Sequence, residues 1–574
     1  MRLGRGSCLA SLCVAGLALS APAMAQTASQ TLPDTLAPPA APAPQAPLRL
    51  PAEATMQAPE GAGSVSLTLA DITLEGAALA PATMAMLRAR LTGKVVTVAE
   101  VFAAAGAAEA IEVRRGRVLA RVLVPQQDLR DGGTLRLLVV DGFISELDLS
   151  AVPARQRGRV AAILQRLVGR PGVGLNEIDR ALTLAGELPG LSLRSTLVPG
   201  EAEGAVVLRV SGEWRPFSSF VSLENGLPDS LGGVSLSLGV DLRSVLGAGE
   251  LVYLRASGDP AARGGRGYFG ESPRNRALAA GIILPLGTDG LTFTASYSDA
   301  KSRLDHAAGE PGFASHFTRL SGQLRYPIIR RRAVTLAAHV TFDAHKETAD
   351  IVTPSPLPIS VDRLRVLRFG FDGASYLANG GAFYADVEAS RGIKGLGART
   401  ASDATELLPL SRQGADAGFR KLKGSARLDL PLAQHLSLNL NAKGQVSFGE
   451  VLVNSEQFGI AGDDAISALS TGVLQGDKGY AARGELRAPF SWSGGGSVAS
   501  FSPYAFAAHG AVSFEQPTAL ERKTTRAWAF GAGLRGSVID PGSGLLFQPA
   551  FEYGRAHLPG GWDDRLSVSL MLRF

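Results

Sequence analysis

Cysteine is almost missing from this chain. The 574 residues include two, Cys8 and Cys13, and both fall within the first 25. A chain processed after Ala25 carries none, which excludes disulfides, zinc–thiolate sites and thiol catalysis. Long apolar runs are missing too. None beyond the N-terminus reaches the 18 or so residues of a spanning helix, and the longest, 277–286, is closed by Pro285. Charge is sparse, at 19% of residues with a net +5, which argues against nucleic acid as a partner. His306, His316, His339, His345, His435, His509 and His557 are scattered without metal-ligand spacing, so no metal is expected. There is no Gly-x-Ser-x-Gly elbow. Residues 265–270 fit G-x-G-x-x-G but sit between predicted strands and open no helix, so they read as a loop and not as a phosphate cradle. No cofactor and no catalysis are expected.

What is present divides along the chain. Arg2 and Arg5, the apolar stretch 9–19 and Ala23-Met24-Ala25 read as a signal peptide over 1–25. Residues 26–63 are rich in Pro and Ala and read as an extended linker, with at most a short helix around 26–32. In 64–141 a strand is followed by a helix opened by Pro81 and faced by Met84, Leu87 and Leu91. A second helix follows a Thr97/Glu100 capping box, and strands are predicted at 117–124 and 134–140. Residues 142–213 repeat the order: a strand at 144–149, helices faced by Val160, Ile163, Leu164 and Leu167 and then by Leu175, Ile178 and Leu182, and strands at 191–198 and 205–210. Two small α+β modules therefore stand in tandem.

From Trp214 onward helical spacing disappears and a period of two takes over. Tyr480, Ala482, Leu486 and Phe490 alternate with Arg483, Glu485 and Arg487, and Leu422, Leu428 and Leu430 face away from Lys421, Arg427 and Asp429. The last ten residues, 565–574, do the same and end on Phe574. A soluble sandwich rarely needs strands so long or so many. A barrel in lipid turns the apolar face outward and its charges into a watery lumen, because a charge on the lipid face costs about 2–4 kcal/mol near the midplane. Residues 214–574 hold about sixteen such segments, roughly 22 residues per strand with its connection against about 10 needed to span. The expected fold is a membrane β-barrel of about sixteen antiparallel strands, closed by pairing of 565–574 with a first strand near 216–225, and preceded by the two modules. The inward charges Arg483, Glu485, Arg487, Lys421 and Arg427 read as lumen solvation, and Arg330-Arg331-Arg332 as a solvated turn.

The stretches VPQQDLRDGGTLRLLVVDG (124–142) and LPGLSLRSTLVPGEAEGAVVLRV (188–210) resemble the two POTRA modules of two-partner secretion transporters, the hemolysin secretion/activation proteins. LENGLPDSLGG (223–233) resembles the first barrel hairpin of that family, and the order of parts matches over 64–574. The resemblance implies an outer-membrane barrel with its POTRA modules in the periplasm. It also implies an exoprotein partner received by the modules and moved to the surface without nucleotide hydrolysis, contact with outer-membrane lipid, and assembly by the barrel-assembly machinery, for which the terminal Phe574 resembles the insertion signal. The alternatives left open are a barrel-assembly factor of the same superfamily, a passive pore and a degenerate transporter.

The resemblance also implies an inward-folded gating loop, here 455–479, whose tip Arg pairs with an Asp of a Phe-x-Asp-x-Gly strand. The tip aligns with Ile466, Ser467, Ala468 and Leu469, and the strand with Phe506, Ala508 and Gly510, so both members of the ion pair are replaced together. A lone survivor would be an uncompensated charge costing several kcal/mol, so the joint loss implies a different lock. Asp463, Asp464 and Asp477 are the candidates to meet a lumenal Arg, with turn formation the simpler account of all three. Ser467→Arg alone is expected to impair the protein, and Ser467→Arg with Ala508→Asp to be tolerated.

Overall fold

The computed structural model describes residues 26–39, 58–307, 309–494, 496–519 and 521–574. The predicted signal peptide and residues 40–57 of the predicted linker lie outside them.

The first module is a four-stranded sheet covered by two helices, α1 (Pro81–Leu91) and α2 (Val98–Arg114). Proline at the first helical position suits α1, where its missing N–H is not needed. Leu87 and Leu91 are buried on its inner face, each contributing roughly 1.5–3 kcal/mol. The capping box forms at α2: the Thr97 side chain accepts from the Glu100 amide at 3.2 Å, and the Thr97 amide donates to Glu100 at 2.7 Å. Ser66–Gly76 pairs parallel to Gly133–Asp141 and antiparallel to the edge strand Val95–Thr97. Glu112 of α2 is buried but well satisfied. Its carboxylate accepts from Thr83 Oγ1 at 2.6 Å, the Ala80 amide at 3.2 Å and Arg117 at 2.8 Å. Burial pushes this group up, but those hydrogen bonds and the Arg117 charge outweigh it and hold it below the usual carboxylate value.

The second module follows directly. Phe143–Asp148, Ala205–Trp214 and Leu191–Pro199 form its sheet, with α3 (Ala154–Leu164) and α4 (Leu175–Gly186) packed on it through Val160, Ile163, Leu164 and Ile178. Leu167 is buried as predicted, in a 3-10 turn that continues α3.

The barrel runs from Phe217–Glu224 to Gly561–Arg573 and is closed by sixteen antiparallel strands. One of them is interrupted: Lys478–Arg487 and Phe490–Gly494 both pair with Ser497–Ser513. The break falls at Ala488-Pro489, and proline has no N–H for the ladder. The last strand closes on the first, from Ser569↔Glu224 to Arg573↔Phe220, and the Phe574 amide donates to the Ser219 carbonyl at 2.8 Å. Its polarity is inside out. Leu254, Phe342, Leu367 and Leu486 are exposed, while their neighbours Arg255, Asp343, Arg368 and Glu485 are buried, as lipid outside and polar contacts inside require. No helix among the described residues is long and apolar enough to cross a membrane.

Two expectations change here. Residues 26–39, read as part of an extended linker, are ordered against the wall inside the barrel. Pro33 and Pro38-Pro39 limit them to two 3-10 turns, Ala28–Thr31 and Asp34–Leu36. Ala28 and Leu36 pack with Ala277, Ala279, Ala300 and Phe317 of the wall. The Ser29 amide and hydroxyl donate to Glu347 at 3.0 and 2.9 Å. The basic run is likewise not a solvated turn. Arg330 pairs with Glu187 and Arg332 with Asp179, at 2.7 Å for the second pair, so it grips α4 and the residue after it. Arg166 of the second module returns the contact to Asp289 and the Thr288 carbonyl. The barrel turns at this end therefore carry the second module.

Candidate functional site

The connection between Leu436–Val446 and Lys478–Arg487 does not extend away from the barrel but folds back into it. A two-residue hairpin, Phe458–Gly459 with Gln475–Gly476, narrows it, and the Ile466 amide bonds the Ile460 carbonyl at 3.1 Å. The tip residues Ile466, Ser467, Ala468 and Leu469 are all buried. Two glycines let the loop approach the wall. A Cβ on Gly554 would stand 3.2 Å from Ala468 Cβ, and one on Gly510 would stand 3.0 Å from Ile460 Cδ1. Of the predicted partner strand, Gly510 is thus a seat for the loop, and Ala508 is cross-strand neighbour to Arg483.

The lock at the tip is built with its arginine on the other side. Arg483, on the wall, donates through Nη1 to Ser467 Oγ at 2.7 Å and through Nη2 to Glu552 of a further strand. Ser467 itself donates to Glu552. Tyr504 adds a hydrogen bond to the same carboxylate at 2.6 Å. The Arg483 guanidinium lies 3.8 Å from the centroid of the Phe506 ring, a cation–π contact worth about 0.5–2 kcal/mol. Its Nε donates to Glu485 at 2.7 Å, and Arg487 and Arg535 hold the other side of Glu485 at 2.5 and 2.7 Å. Arg483 is fully enclosed, with none of its side chain exposed. The lumen-solvation reading therefore fails for Arg483, which is consumed by the loop contact, and for Glu485, which is buried among Arg483, Arg487 and Arg535. It fails also for Lys421, which is buried against Glu456 at 2.7 Å. Arg427 remains half exposed beside Asp429.

A second anchor sits at the start of the loop. Glu456 is buried and receives Arg368 at 2.6 Å as well as Lys421. Arg368 also binds Asp343, which Arg319 grips with two nitrogens at 3.0 and 2.8 Å. Two of the three aspartates proposed for the lock do other work, and the third reaches no described arginine. Asp464 binds Lys443 at 2.7 Å. Asp477 accepts the Leu452 and Glu515 amides at 2.9 and 2.8 Å. Asp463 makes no ion pair with an arginine among the described residues. Glu552, Tyr504, Arg535, Glu456 and Arg368 were not singled out from sequence. A list of inward-facing charges on alternating strands would have contained Glu552, Arg535 and Arg368, but without ranking them, and would have missed Glu456, which lies in the loop.

The family model for the haemolysin secretion/activation protein ShlB/FhaC/HecB matches residues 203–536, and that for the ShlB-type POTRA domain matches 67–142. The chain belongs to the haemolysin secretion/activation family. Among curated relatives of this family member, the outer membrane transporter CdiB of Escherichia coli O6:K15:H31 is 24% identical over 388 residues, 66% of this chain and 61% of that protein. The match thus spans less than two thirds of the relative's length. A second Escherichia coli CdiB is 24% identical over 386 residues, with the same coverage of both chains. The solved structure of CdiB from Escherichia coli superposes with a TM-score of 0.69 at 19% identity, covering 90% of this chain and 92% of that one. CdiB from Acinetobacter baumannii gives 0.59 at 15%, with coverages of 93% and 95%. These likenesses confirm the fold. As a family member the chain is an outer-membrane barrel whose modules lie in the periplasm. The turns gripping α4 therefore face the periplasm, and the connection 447–477 starts from the cell-surface end.

Proposed function

We propose that this protein secretes a large, unfolded exoprotein from the periplasm to the cell surface without nucleotide hydrolysis. The observation that carries this reading is a wide barrel obstructed by two parts of its own chain, each held by polar contacts. One is the loop tip on Arg483 and Glu552, and the other is the segment 26–39 on Glu347. Hydrogen bonds and ion pairs of this kind can be exchanged for water, and the apolar packing beside them is small, from Ile466, Ala468 and Leu469 at the tip and from Ala28 and Leu36 of the segment, so the obstructions are removable. The exposed edges of the POTRA sheets suit an extended substrate, which adds there by backbone hydrogen bonds. In this reading Ile466, Ser467, Ala468 and Leu469 form the gate. Phe506, Gly510 and the Arg483–Glu552 pair form its seat, and Phe574 serves as the insertion signal read by the barrel-assembly machinery. Two plugs argue against a passive pore, which has no use for them.

Deleting the gene should trap one or a few exoproteins in the periplasm, detected by fractionation and surface proteolysis. Unchanged surface display of every exported protein would refute the proposal.

A further inference from the structure

The seam that closes the barrel is incomplete at the cell-surface end. The final strand, Gly561–Arg573, pairs along its full length with Leu546–Leu558 on one side. On the other side its partner Phe217–Glu224 reaches only to Ser569. One residue further up, Asn225 stands in for a strand. Its backbone amide donates to the Val568 carbonyl at 3.2 Å, and its side chain takes the Val568 amide at 2.8 Å and the Leu566 carbonyl at 2.7 Å. The chain then turns away, and the Gly226 carbonyl accepts the Thr471 amide of the gating loop. Residues 572, 570 and 568 direct their backbone groups toward the first strand, so by the alternation of an antiparallel ladder Asp564 and Trp562 do so too. Among the described residues no backbone group meets them there.

This open edge borders a cavity of about 590 Å3 lined by Asn225, Asp229, Ala468, Ser470, Asp563 and Asp564, among others. The cavity touches the gate, since Ala468 belongs to the tip and Ser470 follows it. A cavity with this polar lining admits water, which would spare the free N–H and C=O groups the cost of several kcal/mol that they would carry in lipid. Proteins usually blunt such an edge, because it templates a further strand. We propose that 562–564 is a strand-addition site for the exported chain itself, which pairs there as it leaves the gate. The occupant follows from position and charge. A polypeptide passing the displaced tip meets this edge, and the carboxylates of Asp229, Asp563 and Asp564, which outweigh the Arg565 guanidinium in the same lining, favour a neutral or basic segment over an acidic one.

This inference rests on the secretion reading, and its test separates the two. Export is first established by loss of a surface protein on gene deletion; no such loss removes the secretion reading. In cells that export that protein, a photoreactive amino acid replaces Asp564, or Arg573, where Phe220 already occupies the edge. Cross-linking to the exported protein is expected at position 564 at least tenfold above position 573. Asp564→Pro removes the free N–H without touching the bonded ladder and should slow export at least tenfold in barrels that keep their heat-modifiable mobility. Intact export with equal cross-linking at both positions overturns the proposal, as does wild-type export by an assembled Asp564→Pro barrel. Should that barrel fail to assemble, the cross-linking comparison decides alone.

Discussion

The loop lock can be tested by moving its arginine across the interface. Arg483→Ser leaves Glu552 buried with only the hydroxyls of Tyr504 and Ser467 as partners. Removing one member of a buried pair costs about 3–5 kcal/mol, and the two remaining hydrogen bonds place this case near 3. At 1.4 kcal/mol per tenfold, the displaced state of the loop gains about 100-fold. Ser467→Arg alone sets a second guanidinium against Arg483, and like charges about 4 Å apart repel by roughly 4 kcal/mol at an effective dielectric constant of 20. The double change Ser467→Arg/Arg483→Ser restores one guanidinium and one hydroxyl around Glu552, with the guanidinium now on the loop. It should return to within about 1 kcal/mol of the parent. Opening frequency in planar bilayers measures all four forms, and heat-modifiable mobility confirms that each barrel is closed. Unchanged opening in both single variants, or a double variant no better than the worse single, would refute the lock. Pairing Ser467→Arg with Ala508→Asp is a different experiment, because Asp at 508 would stand across the ladder from Arg483, which remains in place.

Two further outcomes follow from the periplasmic parts. Arg330→Ala should loosen the second module from the barrel more than Arg332→Ala, because the Arg330–Glu187 pair is the better enclosed of the two and exposed pairs contribute about 0–1 kcal/mol. Spin labels on α4 and on the barrel turn should show a broadened distance distribution for Arg330→Ala; equal distributions would contradict the docking role. In the first module, Glu112 releases its proton more readily folded than unfolded. Its stabilisation is therefore fully present above the ordinary value of 4.5 and is lost as pH falls through the lower folded value. Hydrogen exchange of α1 and α2, corrected for intrinsic rate, should rise below about pH 4.5 in the parent and less steeply in Glu112→Gln. Parallel pH profiles would remove Glu112 as the cause.

The period of two in 214–574 and the two strand–helix–helix–strand–strand blocks were enough, without coordinates, to determine a barrel preceded by two modules. Alternation forces one face toward lipid wherever strands are numerous and no covering helix exists. The closing role of 565–574 was legible for the same reason. The lock was not. Ser467, Arg483, Tyr504 and Glu552 come from separate segments, and in sequence each inward charge looks like every other. Only the tertiary fold decides which of them a returning loop will bury. The same holds for Arg330, whose partner lies 143 residues away on another module, and for 26–39, whose prolines forbid a long helix but say nothing about being inside a barrel. Local pattern determines which face a residue takes; which residue it meets across a lumen depends on strand register and closure, which no short stretch of sequence contains.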